Sequence, residues 1–209
     1  MHRFLVADDH SVVRKGLRHI LSEAFPSAVI EEVTNAEDLL KRATSEEWDV
    51  VITDISMPGR SGLEILQQLK LDHPKLPILV LSMHSEDQYA IRVLKAGASS
   101  YLNKESAPEE LIRAINQLLL GKKYITPTIA EKLAGTLDRD PVKMLYEYLS
   151  DREFEVFKLL ATGKSVSEIA EKIFLSVSAV STYRGRVMAK MNLKTNADLT
   201  LYAIEQKLL

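Results

Sequence analysis

Short apolar runs and longer amphipathic stretches alternate through the first 120 residues. Strand-like runs fall at Arg3–Ala7, Val29–Val33, Asp49–Thr53, Ile78–Leu81 and Ser99–Leu102. Each is followed by apolar residues at helical spacing, as in Val12, Val13, Leu17, Ile20 and Leu21, then Leu63, Leu66 and Leu69, then Leu111, Ile112, Ile115, Leu118 and Leu119. Parallel strands need long crossovers, and these bring helices onto the sheet, so the pattern predicts an α/β domain with a doubly wound (βα)5 parallel sheet covered on both faces. After Gly121 the alternation stops. The stretch to Tyr148 mixes Pro127, Gly135, Pro141 and charges with short apolar patches, and reads as a linker holding a helix or two.

From Leu149 onward the pattern is wholly helical. Ser150 with Glu153 forms a capping box, with Leu149 and Phe154 placed as a hydrophobic staple. Ser165 with Glu168 forms a second box, and Gly163 suits the left-handed residue that ends the preceding helix. Ser176 caps a third helix and Thr195 with Asp198 opens a fourth. Four short helices in about sixty residues, two joined by a tight turn, predict a small all-α helix-turn-helix domain. The expected organisation is therefore 1–120, a linker over 121–148, and 149–209.

Composition narrows the chemistry. The 209 residues include no cysteine, which excludes disulfide scaffolds, thiolate metal sites and cysteine nucleophiles. The longest apolar runs are four residues, as in Phe4–Ala7, too short for a spanning helix or a signal-peptide core, so an intracellular, cytoplasmic protein without a membrane partner is expected. The net charge of −2 is unevenly spread: residues 1–120 carry 13 Lys/Arg against 18 Asp/Glu, and residues 150–209 carry 9 against 7. The first part suits a cation; the last part can approach DNA.

In an open parallel sheet, ligands bind beyond the carboxyl ends of the strands. There the chain places Asp8 and Asp9 after the first strand, Asp54 after the third, Ser82 at the end of the fourth, and Tyr101 leading to Lys104 at the fifth. An isolated Asp-Asp pair is usually a solvated turn, Lys104 alone a surface lysine and Ser82 alone a strand end; their shared position at strand ends favours a site. Two carboxylates about 4 Å apart repel by roughly 4 kcal/mol at an effective dielectric near 20, so the cluster calls for protons or a cation. All-oxygen donors suit Mg2+, and a carboxylate beside that ion can attack phosphorus to give an acyl phosphate. Met57-Pro58-Gly59 and Ser61-Gly62 follow Asp54 as turn-forming residues. Trp48 reads as packing, and the histidines lack metal-ligand spacing, although His10 and His84 sit at the pocket rim.

These residues resemble the receiver domain of bacterial two-component response regulators, over residues 2–120: Val6-Ala7-Asp8-Asp9-His10, Val51 through Gly59 around Asp54, Leu81-Ser82, Lys95-Ala96-Gly97-Ala98 and Tyr101-Leu102-Asn103-Lys104. The resemblance implies that Asp54 accepts a phosphoryl group from a sensor histidine kinase. It implies Mg2+ on Asp9, Asp54 and the Ser56 carbonyl, with Asp8 acting through water. Lys104 would pair with a phosphoryl oxygen, with Ser82 and Tyr101 as switch residues. Ser82 stands where many members have threonine.

In the last domain, the third helix sets Val180, Val187, Met188 and Met191 inward and exposes Ser178, Ser181, Thr182, Arg184, Gly185, Arg186 and Lys190. Small hydroxyls allow close approach to a major groove while arginines read guanine or grip phosphate; for an isolated helix a solvated face would be the better reading. Residues 149–209 resemble the LuxR-type helix-turn-helix of the NarL/FixJ class, in Leu149-Ser150-Asp151-Arg152-Glu153, Gly163-Lys164-Ser165, Glu168-Ile169-Ala170 and Val180-Ser181-Thr182-Tyr183-Arg184 through Leu193. That resemblance implies a recognition helix over Val177–Met191 and further DNA contacts at Ser165, Tyr183 and Thr195. It also implies a final helix that helps dimerisation. Some members carry lysine where this chain has Ser181 and Gly185, so the operator does not carry over.

The expectation is a regulatory protein, not an enzyme beyond Asp54's own phosphoryl chemistry, that forms a homodimer when phosphorylated, binds double-stranded DNA and meets RNA polymerase. One rival is an Mg2+-dependent phosphohydrolase with an aspartate nucleophile. Such hydrolases usually place a second aspartate where this chain has Ser56. The other is a DNA-binding regulator whose receiver has lost phosphorylation, which the full set of pocket residues opposes.

Overall fold

The computed structural model describes residues 1–57, 62–83, 86–137, 145–206 and 208–209. Pro58, Gly59 and Ser61 of the turn after Asp54, His84 at the expected rim, and Pro141 lie outside the described residues. Two compact units are present, Met1–Asp138 and Arg139–Leu209.

Among the described residues of the first unit, five strands form one parallel sheet: β1 (Arg3–Ala7), β2 (Val29–Val33), β3 (Val50–Thr53), β4 (Ile78–Ser82) and β5 (Ser100–Asn103). Their order is β2-β1-β3-β4-β5, with Phe4 opposite Val50 and Ile52 opposite Leu79. Helices α1 (Ser11–Ala24), α2 (Ala36–Ser45), α3 (Gly62–Asp72), α4 (Glu86–Lys95) and α5 (Pro108–Leu119) make the crossovers. Every residue of β3 and β4 is buried, which accounts for continuous apolar runs in place of alternation. One core cluster joins Phe4, Val6 and Ile52 to Leu17 and Leu21 of α1 and to Leu111, Ile115 and Leu118 of α5. Strand order reverses between β1 and β3, so the loops after these two strands diverge and open a crevice at their carboxyl ends.

Beyond Leu119 the chain stays with this unit. The Tyr124 N–H donates to Ser99 O at 3.1 Å and Tyr124 pairs with Ser100, extending the edge of β5. Then α6 (Pro127–Leu137) packs against α4, with Ile129 fully buried. The stretch expected as a linker thus contributes a helix to the first compact unit. Its Pro and Gly content concealed that docking.

The second unit holds a 3-10 turn (Leu145–Tyr148) and helices α7 (Asp151–Ala161), α8 (Val166–Lys172), α9 (Val177–Met191) and α10 (Asn196–Glu205). The caps read from sequence are formed: Ser150 with Glu153, Ser165 with Glu168 and Thr195 with Asp198 make reciprocal capping boxes, and the Ser176 side chain accepts from Ala179 N–H. Gly163 (φ 84°) ends α7 in the left-handed region. Phe154, Phe157, Ile169, Val180, Val187 and Leu199 are fully buried and form the core between helices too short to stand alone.

Candidate functional site

The carboxyl ends of β1, β3, β4 and β5 bring the expected pocket residues together. Asp8 and Asp54 are almost wholly buried, and Ser82 and Tyr101 are fully so. Lys104, just past β5, reaches across the crevice: its Nζ is 2.7 Å from Asp54 Oδ2 and 2.6 Å from Asp8 Oδ2. One ammonium thus serves two carboxylates and draws on the Oδ2 atom of each. On the other edge, Asp54 Oδ1 accepts the Ser56 N–H at 3.1 Å and Asp8 Oδ1 accepts the His10 N–H at 2.8 Å. Gly62 has a local reason: a Cβ there would lie 2.3 Å from the Ile55 carbonyl oxygen, so only glycine lets α3 start against the segment after Asp54.

The charge balance is poised. Burial pushes the Asp54 carboxyl above its usual range, and neither the Lys104 ammonium nor the Ser56 N–H cancels this, while the neighbouring Asp8 adds to it. Burial works against the Lys104 ammonium, but Asp54 and Asp8 outweigh it and hold that group above its usual value. Ligand atoms of Asp8, Asp9, His10 and Asp54 lie within 4.8 Å of one another, a spacing that can hold a metal ion. The donor set fits a divalent cation on a second count. Asp9 Oδ1 is buried without a hydrogen-bond partner among the described residues; His10 Nδ1 lies 2.8 Å away, outside hydrogen-bond geometry. A buried carboxylate oxygen left so is costly unless a cation or proton completes it.

Trp48 is packing, as its sequence position suggested. It is buried, donates Nε1–H to Arg42 O at 3.1 Å, and lies 4.6 Å beneath the Arg3 guanidinium. An open cleft of about 930 Å³ beside it, lined by Met1, Arg3, Trp48 and Asp49, lies at the amino ends of the strands, on the side away from the carboxylates.

In the second unit α9 buries Val180, Val187 and Met191 and leaves Ser178, Ser181, Thr182, Gly185, Arg186 and Lys190 exposed. Of the candidate DNA contacts, several are already engaged. Arg184 Nε donates to Asn196 Oδ1 at 3.0 Å, and the Arg186 guanidinium lies 5.8 Å from the Tyr183 ring. The Ser165 and Thr195 side chains accept the bonds that start α8 and α10. Lys190 Nζ donates to Glu153 Oε2 at 2.6 Å and to Tyr148 O at 3.3 Å. Sequence reasoning missed that pairing, since nothing local links positions 37 residues apart.

A receiver-type pocket on one unit and a helix-turn-helix on the other define the class. The response regulator receiver domain matches residues 4–116, and the luxR family of bacterial regulatory proteins matches residues 147–203. The chain belongs to the response regulators that join a receiver to a LuxR-type helix-turn-helix, the NarL/FixJ class, and is a DNA-binding regulator of transcription in a two-component system. It is similar to the response regulator UvrY of Escherichia coli K12, at 34% identity over 209 residues covering all of this chain and 96% of that one. It is equally similar to the oxygen regulatory protein NreC of Staphylococcus carnosus, at 34% over 214 residues and 99% of each chain. Among solved structures, RcsB of Salmonella enterica serovar Typhimurium, bound to promoter rprA in the presence of the phosphomimetic BeF3−, is 28% identical, with a TM-score of 0.65 over 97% of this chain and 98% of that one. No described helix is long and apolar enough to cross a membrane.

Proposed function

We propose that Asp54 is the phosphoryl acceptor of this response regulator and that its modification controls dimerisation and DNA binding by the second unit. The observation that carries the reading is the single ammonium of Lys104 shared by Asp8 and Asp54, beside a buried Asp9 oxygen that accepts no hydrogen bond among the described residues. Asp9, Asp54 and the Ser56 carbonyl would hold Mg2+, with Asp8 bound through water. The ion, when bound, supplies charge neutralisation at the transferring oxygens. An Asp54 oxygen attacks phosphorus in line with the departing imidazole of a sensor kinase's phosphohistidine, and Lys104 and the Ser82 hydroxyl stabilise the equatorial oxygens.

Phosphorylation adds about −1.5 to −2 charges to a pocket already rich in carboxylates. Lys104 must then leave Asp8 for the phosphoryl oxygens, and Ser82 turns towards them. Tyr101 is already fully inward, so its part as a switch residue is to be retained in that position as the ends of β4 and β5 adjust. Functionally we assign residues 1–120 to the receiver, 121–148 to the connection and 149–209 to DNA binding; α6 sits against α4, within reach of any shift there.

On α9, Ser178, Ser181 and Thr182 face the major groove, and Arg186 supplies base or phosphate contacts. Tyr183 and Arg184 flank them, with Ser165, Lys190 and Thr195 contributing at the edge. A two-fold dimer places two such helices about one helical turn apart, roughly 10 base pairs. The partners are a sensor histidine kinase, double-stranded DNA, a second copy of the chain and RNA polymerase, and the site of action is the bacterial cytoplasm. The test is DNA affinity on a selected duplex pool, with sedimentation, before and after treatment with Mg2+ and acetyl phosphate. Tighter binding and a dimer in the native chain, neither in Asp54→Ala, support the reading. Equal affinity in all four samples contradicts it.

A further inference from the structure

Arg184 and Asn196 lie on successive helices of the second unit and meet because of the turn between them. Helix α9 ends at Met191, Asn192 takes the left-handed conformation (φ 53°), and the Leu193 N–H closes the turn on Met188 O at 3.0 Å. The next helix starts at once: Asp198 Oδ2 accepts the N–H of Lys194 at 3.1 Å and of Thr195 at 2.8 Å, which fixes the first turn of α10. Asn196, the first residue of that helix, is thereby set alongside Arg184, and its Oδ1 accepts Arg184 Nε–H at 3.0 Å. Thr200 Oγ1 donates to Ala161 O at 3.0 Å, so the helix that carries the amide is itself tied to α7.

The bond uses Nε alone. Nη1 and Nη2 have no acceptor among the described residues, and the outer fork of the guanidinium stays available. Arg184 follows the buried Val180 by one helical turn and precedes the buried Val187 by another, so it is half-buried and projects from the side of α9 next to the packed stripe. Ser178, Ser181, Thr182 and Gly185 occupy the outward face. When a helix lies in a major groove, its outward face meets base edges and its flanks meet the phosphates that line the groove. A flank guanidinium held at Nε offers Nη1 and Nη2 together, a fork that matches two oxygens of one phosphate. An arginine without that hold would lose more side-chain freedom on docking.

We infer that Asn196 is a positioning residue for DNA binding: it holds Arg184 at the flank of α9, where the guanidinium grips one backbone phosphate and reads no base. The inference rests on the assignment of the second unit to DNA, and divides the recognition helix between a reading face and a gripping flank. Asn196 gives no signal in the sequence, because it follows a capping residue and meets Arg184 from twelve positions away.

The experiment uses the full-length chain on two duplexes, one selected for tight binding and one of random sequence, each titrated at several salt concentrations with and without Mg2+ and acetyl phosphate. Arg184→Ala should weaken both duplexes by the same factor, about five- to twentyfold, and lower the slope of log affinity against log salt by about one phosphate. Asn196→Ala should weaken both about three- to fivefold, the cost of ordering one long side chain. In the Arg184→Ala background, Asn196→Ala should change nothing further. Arg184→Gln keeps an amide that can bond Asn196 but carries no charge, and should lose the same slope as Arg184→Ala. A larger loss on the selected duplex than on the random one makes Arg184 a base reader and overturns the inference. So does a native slope in Arg184→Gln, which reduces the bond to a tie between helices. Native affinity in Asn196→Ala, or a loss that persists in full without Arg184, removes Asn196 from the role. The random duplex separates the two levels. If acetyl phosphate tightens neither duplex while the slopes behave as expected, phosphorylation control fails and the Arg184–Asn196 assignment stands; if neither duplex binds at low salt, both fail.

Discussion

Asp54 and Glu153 are both buried carboxylates that lie against a lysine, and they have opposite electrostatics. Asp54 is 2.7 Å from Lys104 and its carboxyl is held above the usual range; Glu153 is 2.6 Å from Lys190 and its carboxyl is held below. Burial raises both. For Glu153 the bonds from Lys190 and from the N–H of Ser150 outweigh it, and no described carboxylate adds to the burial penalty. For Asp54 the lysine is shared with Asp8, whose own charge adds to the burial penalty. A lysine of its own makes a structural pin. A divided one leaves a carboxylate under-compensated, which is the condition under which a cation or a phosphoryl group is welcome.

The sharpest way to break this contrast is to exchange the roles by mutation. Asp54→Ala should abolish phosphoryl uptake from acetyl phosphate, whereas Glu153→Gln should leave its rate unchanged; intact mass over time checks both. Next in size, Lys104→Ala should slow phosphoryl uptake by about 10²–10³-fold, the usual cost of losing one preorganised charge at the transferring group. Its fold should survive, because Asp54 can take a proton. Lys190→Met should do the reverse, leaving uptake intact and destabilising the second unit by about 1–3 kcal/mol, since it strands the Glu153 carboxylate and removes a donor from Tyr148 O. Chemical denaturation resolves the two.

Acidity sharpens the comparison further. Glu153, with its folded pKa below the usual 4.5, contributes stability that is present above that value and is lost as pH falls through its lowered folded pKa. Asp54, raised from 3.8, contributes stability present below that value and lost as pH climbs through its raised folded pKa. Thus Glu153→Gln should flatten the acid limb of the stability curve, and Asp54→Asn should raise the neutral-pH Tm of the first unit by roughly 2–5 °C. Thermal unfolding between pH 3 and 8 shows whether the signs differ. The smallest effect concerns the exposed face of α9. Arg186→Ala should weaken DNA binding about five- to twentyfold and reduce the salt slope by about one phosphate, without altering either carboxylate.

The legibility of the molecule follows the range of its interactions. Strand positions, read within one residue, and the helix caps are local, so alternation and spacing of three residues sufficed. Ser150 with Glu153 is visible as a capping box; that the same Glu153 oxygen also anchors Lys190 is not, because the second contact crosses from α7 to α9. Lys190 consequently read as an exposed candidate DNA contact, without its anchor on Glu153. The pocket was readable because topology alone puts strand ends together. The lysine's division between Asp8 and Asp54, and the lean of His10 over Asp9, depend on rotamers that no periodicity encodes. A helix within 121–148 was expected, but its docking on α4 and the pairing of Tyr124 with β5 were masked by the turn-forming residues around them.

The decisive measurement is intact mass after incubation with Mg2+ and acetyl phosphate, native chain against Asp54→Ala, with sedimentation of each sample. One added phosphoryl group on the native chain, absent from the variant and accompanied by a dimer, is the expected result. A phosphoryl group on both proteins, or on neither, with the same oligomeric state throughout, would contradict Asp54 as the switch.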